Sequence, residues 1–317
     1  MQPLQITEPK IVLPGGAGLV GQNLVVRLKQ RGFRNLVVLD KNPVNLRILS
    51  SLHPGVTAID ADLAESGPWE QHFQNADAVV ILQAQIGALA PEFFSRNNIT
   101  ATERVITAIK KYRVPYTIHV SSSVVNSAGS DQYTLTKRAQ ERLVLESGIK
   151  CVVLRPTLMF GWFDRKHLGW LSRFMLRVPV FPIPGHGRYM RQPLYVGDFC
   201  NVIANCLESR IDNRVFDVTG IERIEYVEII RQIRRATRSH CLIVKIPYWL
   251  FSTLLDMWAV FDRNPPFTSD QLRALTAGDE FDVIDWEGIF GVKATPFSAA
   301  IDETFNDPKY SRIALQF

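Results

Sequence analysis

The chain has 317 residues, 46% hydrophobic and 21% charged, a globular composition that excludes disordered and collagen-like architectures. At roughly 150 residues per domain, it holds one large domain or two joined ones. Lys and Arg number 36 against 31 Asp and Glu, for a net charge of +5, a surplus too small to argue for nucleic acid but suited to an anionic ligand or membrane surface.

The first half alternates short apolar segments with helical patterns. Strands are expected at Ile11–Leu13, Leu36–Leu39, Val56–Ile59, Ala78–Leu82, Thr117–Val120 and Cys151–Leu154. They are rich in Val and Ile without in/out alternation, as parallel strands buried on both faces should be. Helices are expected over Leu19–Gln30, with Gly32 as its carboxyl-terminal cap, and over about Pro91–Tyr112 and Asp131–Ser147. Repeated β-α-β units predict an α/β fold, a doubly wound parallel Rossmann sheet with right-handed crossovers. After Arg155 the rhythm breaks. Phe160–Arg191 reads as loop punctuated by proline and glycine, a helix (about Val196–Glu208) and a strand (about Arg214–Val218) return to the sheet, and the pattern from Ile221 onward is mainly helical. The expected division is a dinucleotide-binding domain over 1–160, with a return segment at about 195–220, and a smaller, mainly helical substrate-binding lobe over 161–317.

What is missing narrows the chemistry. The four cysteines (Cys151, Cys200, Cys206, Cys241) form no CxxC pair and the six histidines no HExxH spacing, so no metal is expected. No GxSxG elbow is present. Met1–Lys10 is not a secretory leader, and no apolar run reaches the roughly 18 residues of a membrane span. A reduced cytoplasmic protein is expected, with the inner face of a membrane as a peripheral alternative.

Strand Ile11–Leu13 runs into Pro14-Gly15-Gly16-Ala17-Gly18-Leu19-Val20-Gly21 and a helix follows, giving G-x-x-G-x-x-G through Gly15, Gly18 and Gly21. Such a turn needs glycine where backbone must approach a pyrophosphate, and the helix aims its free N–H groups, including those of Leu19 and Val20, at the anion. Asp40 ends the second strand, 19 residues beyond Gly21, where a carboxylate accepts hydrogen bonds from an adenosine ribose diol. Asp40 argues for NAD as cofactor, while Lys41 and Arg47 leave NADP open. Asp62-Leu63 follows the third strand, where it meets the adenine edge or is a solvated loop.

Tyr133 and Lys137 form Y-x-x-x-K on a predicted helix, so both share one face. A phenol of pKa about 10 is a poor base at neutral pH unless a nearby ammonium stabilises its anion; a drop of about 3 units requires about 4 kcal/mol. The fifth strand ends in Ser121-Ser122-Ser123, at the carboxyl edge where open α/β folds bind ligands. Ser122 is the candidate to hydrogen-bond the reacting alcohol or carbonyl, with Ser123 as its alternative.

Together these residues resemble the extended short-chain dehydrogenase/reductases of the NAD-dependent epimerase/dehydratase type, over roughly residues 9–220. The likeness includes the glycine turn, Asp40, Asp62-Leu63, Asn98, the serine strand end, Tyr133-Lys137 with Glu141, Leu154-Arg155-Pro156 through Gly161, and Tyr195-Val196-Gly197-Asp198. The resemblance implies a bound dinucleotide touched also by Gln83 and Asn98, a Ser-Tyr-Lys catalytic set, Lys137 on the nicotinamide ribose, and Pro156–Met159 beside the nicotinamide. It implies hydride transfer at a secondary alcohol or carbonyl of a small molecule, with a nucleotide sugar as the leading substrate class. Arg191 stands where such enzymes place an arginine on the nucleotide diphosphate. Three departures are plain: a short segment between Ser123 and Tyr133, Leu158 where an asparagine is usual, and Gly197 before Asp198. Pro265–Leu275 and Phe290-Gly291-Val292 resemble instead an atypical branch that includes an accessory subunit of respiratory complex I, whose members hold a dinucleotide without known turnover. Monomer and homodimer both remain open.

Arg231, Arg234, Arg235 and Arg238 lie on one helix face, and Ile246–Phe261 (IPYWLFSTLLDMWAVF) follows. A buried helix of the second lobe is the first expectation for this segment. Weak peripheral docking on an anionic membrane, through Trp249, Phe251 and Trp258 beside the basic face, is the second.

Overall fold

The computed structural model describes residues 8–87, 90–261, 272, 275, 276 and 280–316, with backbone alone at 258–261. Seven strands form the central sheet: β1 (Ile11–Pro14), β2 (Leu36–Asp40), β3 (Thr57–Asp60), β4 (Ala78–Ile81), β5 (Thr117–Val120), β6 (Cys151–Pro156) and β7 (Arg214–Val218). Their order is β7-β6-β5-β4-β1-β2-β3, and every pairing is parallel. This is the Rossmann-like sheet expected from the sequence. The strand order reverses between β1 and β4, which opens a crevice at the carboxyl edge where ligands of such sheets bind.

Burial explains the unalternating strands. One face packs under α1 (Leu19–Gln30) and the helix Val196–Ser209, through Leu24, Leu28, Phe199 and Ile203. The other packs under the helix Ala101–Lys111, with Trp69 and Phe73. Polar capping ends these elements where the sequence places it. Gly32 follows α1 at φ +91°, and Phe33 N–H donates to Leu28 carbonyl oxygen at 3.0 Å. A helix at Pro43–Leu52, absent from the sequence expectation, is opened by Asn42, whose side chain accepts from the Val44 and Asn45 amides at 3.1 Å each.

Two expectations are corrected. The stretch Pro91–Tyr112 is not one α-helix: Glu92–Phe94 runs into a π-helical segment, Ser95–Thr100, before Ala101–Lys111 continues as α-helix. The widened turn carries Asn97 and Asn98, and such bulges recur at functional sites.

The second lobe is also more than helical. Val180–Pro184 pairs in parallel with Leu242–Ile246, Met159–Phe160 in parallel with Leu194–Tyr195, and Met190–Arg191 antiparallel with Ile224–Glu225. Pro182 and Pro184, which read as loop, are tolerated because a two-stranded pair leaves an edge that needs no donor. Around these pairs pack the helices Leu168–Met175, Tyr226–Thr237 and Phe297–Asn306, on Phe181, Ile183, Ile230 and Ile301. Phe290 and Val292 belong instead to the sheet core, Phe290 edge-on to Phe216 at 5.0 Å. Most of Pro265–Leu275 lies outside the described residues.

Candidate active site at the carboxyl edge of the sheet

The three glycines of the turn have different reasons to be glycine. Gly15 sits at φ +77°, and a Cβ there would lie 2.4 Å from both N and Cα of Gln83. At Gly21 a Cβ would meet Gly16 carbonyl oxygen at 2.2 Å, because α1 presses onto the turn. Gly18 is extended, and its Cβ would have only Gly15 oxygen, at 3.5 Å, within reach. Gly15 and Gly21 therefore serve the fold, whereas the space over Gly18 is open. It faces the start of α1, whose first amides, on Leu19 and Val20, have no intrahelical acceptor. That cradle fits a pyrophosphate.

Asp40 braces the same turn. Its Oδ2 accepts from Ala17 N–H and its Oδ1 from Asn42 N–H, each at 3.0 Å. Burial pushes its carboxyl upward, and those amide donors pull it back. Asp62 is held by cations, 2.6 Å from Arg96 Nη1 and 3.9 Å from Lys41 Nζ, which keep its carboxyl below the ordinary range despite partial burial. Leu63 turns its side chain into the apolar core, so only its backbone is available to a ligand.

Tyr133, Lys137 and Ser122 converge beside β5. Asp131 caps their helix, Gln132–Glu146, accepting from Thr134 N–H at 3.0 Å. Burial pushes the Tyr133 phenol up, and its hydrogen bond with Ser122 works against that. Ser122 Oγ also accepts from Val124 N–H at 3.4 Å, capping a 3₁₀ turn that begins with the half-buried Ser123. From the sequence, Lys137 is expected to lower the tyrosine. Here its ammonium donates instead to Gln140 Oε1 at 2.6 Å and to Val120 carbonyl oxygen at 3.3 Å. Lys137 is only 1% exposed, and desolvation pushes its ammonium down to about 7 although Glu141 opposes this. The neighbouring His119 is wholly buried and held neutral by desolvation and by the Lys137 charge.

Gln140 is the residue that sequence reasoning missed. Its Nε2 donates to Gln83 carbonyl oxygen at 3.2 Å and to Thr102 Oγ1 at 2.9 Å, and Gln83 Nε2 reaches the same hydroxyl at 3.2 Å. A single buried amide thus ties Lys137 to the residue on which Gly15 rests. The available signal was its position three residues after Lys137 on one helix; Thr102, 38 residues away, left none. Asn98 joins this floor through Thr136 Oγ1 at 3.0 Å and through Gln85 N–H, which donates to its Oδ1 at 2.6 Å. Gln83 Oε1 and Ser121 Oγ are buried without a partner among the described residues, in keeping with a polar ligand at this edge.

Beside this group, Arg155 grips Glu141, with Nη2 2.5 Å and Nε 3.2 Å from Oε1, and Nε 3.0 Å from Oε2. Pro156 ends β6, and Met159 is half-buried against the sheet core. Arg191 stands in the second lobe, where its charge acts on His167, Tyr189 and Tyr226.

A family model described as "NAD dependent epimerase/dehydratase family" matches residues 11–218. The chain belongs to that family. Family membership thus covers the sheet, the glycine turn and the Ser122–Tyr133–Lys137 group, and NAD is the cofactor in the family's description. Similar proteins diverge in what they do. A mitochondrial NADH dehydrogenase [ubiquinone] 1 alpha subcomplex subunit 9 from Dictyostelium discoideum is 24% identical over 81% of this chain and 73% of its own. A ceramide reductase from Caulobacter vibrioides is 25% identical over 80% of each. Among solved structures, a UDP-glucose 4-epimerase from Thermotoga maritima superposes with a TM-score of 0.74 at 18% identity, covering 93% of this chain and 97% of that one.

Proposed function

We propose that this protein is an NAD-dependent oxidoreductase or epimerase acting at a secondary alcohol or carbonyl, with a nucleotide sugar as the leading substrate class. One observation carries the reading: a Ser-Tyr-Lys group at the carboxyl end of β5, floored by a lysine that is 1% exposed and held in a closed hydrogen-bond network. Gly18, the amides of Leu19 and Val20, and Asp40 would hold the dinucleotide over a turn shaped by Gly15 and Gly21, and when bound it supplies a two-electron acceptor or donor. Asp40 at the end of β2 favours a free ribose diol over a 2′-phosphate. Ser122 would hydrogen-bond the substrate oxygen, and Tyr133 would take up or return its proton. The Lys137 ammonium would stabilise the phenolate once a ligand draws it from Gln140.

A second reading has support of its own. The complex I relative covers most of the chain, and the Tyr133 phenol is raised rather than lowered. In that reading the pocket holds a dinucleotide for assembly and does no turnover. Mass spectrometry of small molecules released from purified protein, then a screen of sugar nucleotides and carbonyl compounds, separates the two. Under the enzyme reading, Tyr133→Phe lowers turnover by about 10²–10⁴-fold with NAD affinity nearly unchanged. Bound NAD with no substrate turned over, or turnover indifferent to that substitution, transfers the case to the second reading.

A further inference from the structure

The strand pair of the second lobe packs one face inward through Phe181, Ile183 and Ile243. Its outward positions break the usual pattern, because a solvated face of such a pair ordinarily carries polar residues. Leu242 is 60% exposed and Val244 41%, and Val180, the register partner of Leu242, is 42% exposed. Leu176 is drawn to the same end, since Ser239 Oγ donates to Met175 carbonyl oxygen at 2.8 Å and Leu242 N–H to that of Pro179 at 2.8 Å. The chain then enters the helix Tyr248–Phe261, where Trp249 is 68% and Met257 57% exposed. This corrects the expectation of a buried helix; Phe251 is half-buried, and the side chain of Trp258 lies outside the described residues.

Cations flank these apolar residues. Arg177, Arg238 and Lys245 are exposed, and none has a carboxylate within ion-pair distance among the described residues. Arg238 stands at φ +53° just past the end of its helix, off the regular stripe, while Arg231 and Arg235 of that stripe share Glu228. No helix of the described residues is long and apolar enough to cross a membrane.

We propose that this face, formed by Leu176, Val180, Leu242, Val244 and Trp249, with the exposed cations Arg177, Arg238 and Lys245 beside these residues in the chain, docks the protein peripherally on an anionic lipid bilayer. The chemistry of the face selects the occupant. Aliphatic side chains and an indole suit the acyl–headgroup boundary, and cations with no carboxylate in ion-pair distance among the described residues match a surface of lipid phosphates. The proposal does not depend on the cofactor reading.

The test uses the full chain in sedimentation with vesicles of phosphatidylcholine, with and without phosphatidylglycerol. The protein should pellet with anionic vesicles at low salt, be released by added salt, and ignore pure phosphatidylcholine. Each basic residue near an anionic surface raises binding by roughly fivefold, so the triple variant Arg177→Gln, Arg238→Gln, Lys245→Gln should bind at least about tenfold more weakly. Trp249→Ser with Leu242→Ser should weaken binding at any salt. The glutamines sit at exposed positions, so unchanged circular dichroism is expected and the triple variant remains informative if the serine pair misfolds. Absence of binding to anionic vesicles overturns the proposal. So does binding that the triple variant leaves intact, or a salt-stable dimer that buries this face.

Discussion

In the amino-terminal half, Lys137 at 1% exposure and Gln140 and Asn98 at 0% are polar groups taken out of water. In the second lobe, Leu242 at 60% and Trp249 at 68% are apolar groups left in it. Each region inverts the ordinary distribution, and such inversions are the informative ones. Gln140, Thr102 and Gln83 hold the Lys137 ammonium in one hydrogen-bond network, which offsets part of the cost of burying it. The exposed apolar groups have no compensation within the described residues. The first arrangement fits the proposed chemistry, and the second the proposed docking surface.

The contrast can be broken at its buried side. Glu141→Ala should have the largest effect, because it strands Arg155, whose side chain is 20% exposed opposite a carboxylate at 7%. Removing one partner of a buried pair costs about 3 kcal/mol, at the lower end because Arg155 also reaches Asp217 at 3.7 Å. Urea denaturation would read it, and a loss below about 1 kcal/mol would mean the pair behaves as a surface one.

A pair of glycine variants sharpens the comparison further. Gly21→Ala forces a Cβ to 2.2 Å from Gly16 oxygen and should destabilise by about 1–3 kcal/mol. Gly18→Val meets open space, so stability should hold while calorimetric NAD binding disappears. Equal behaviour of the two would show that the turn has only a structural role.

The remaining effect is one of pH. Burial lowers Lys137 from an ordinary 10.5 to about 7. Between those values the unfolded chain carries a proton that the folded chain lacks, so stability rises with pH across that window and is flat below it. Lys137→Met lacks this dependence. The stability of the native chain relative to that variant should therefore grow as pH rises from 7 toward 10. A difference independent of pH would place the lysine in a wetter site than its 1% exposure implies.

Much of the first half was legible in the residues. Short unalternating Val and Ile runs fit parallel strands covered on both faces, and α1 begins and ends where glycines demand. The Tyr133–Lys137 spacing is local and survives any packing. Longer-range features left weaker traces. The π-helical turn at Ser95–Thr100 holds one apolar residue and so leaves no periodic trace, and Val180–Pro184 looks like loop until Leu242–Ile246 lies beside it. Arg96, which engages Asp62, stands 34 residues from it.

What the sequence by itself determined was everything set by neighbours within a few residues: the strands, the glycine turn, the capped helices, the Tyr-Lys face and the family they denote. Only the tertiary structure decided which polar groups share a proton environment and which apolar ones stay in water. The physical reason is that desolvation depends on what folds over a group. Lys137 takes its partner from its own helix, but it is burial against β5 that lowers its pKa. Trp249 has the sequence of a core residue and stays 68% exposed.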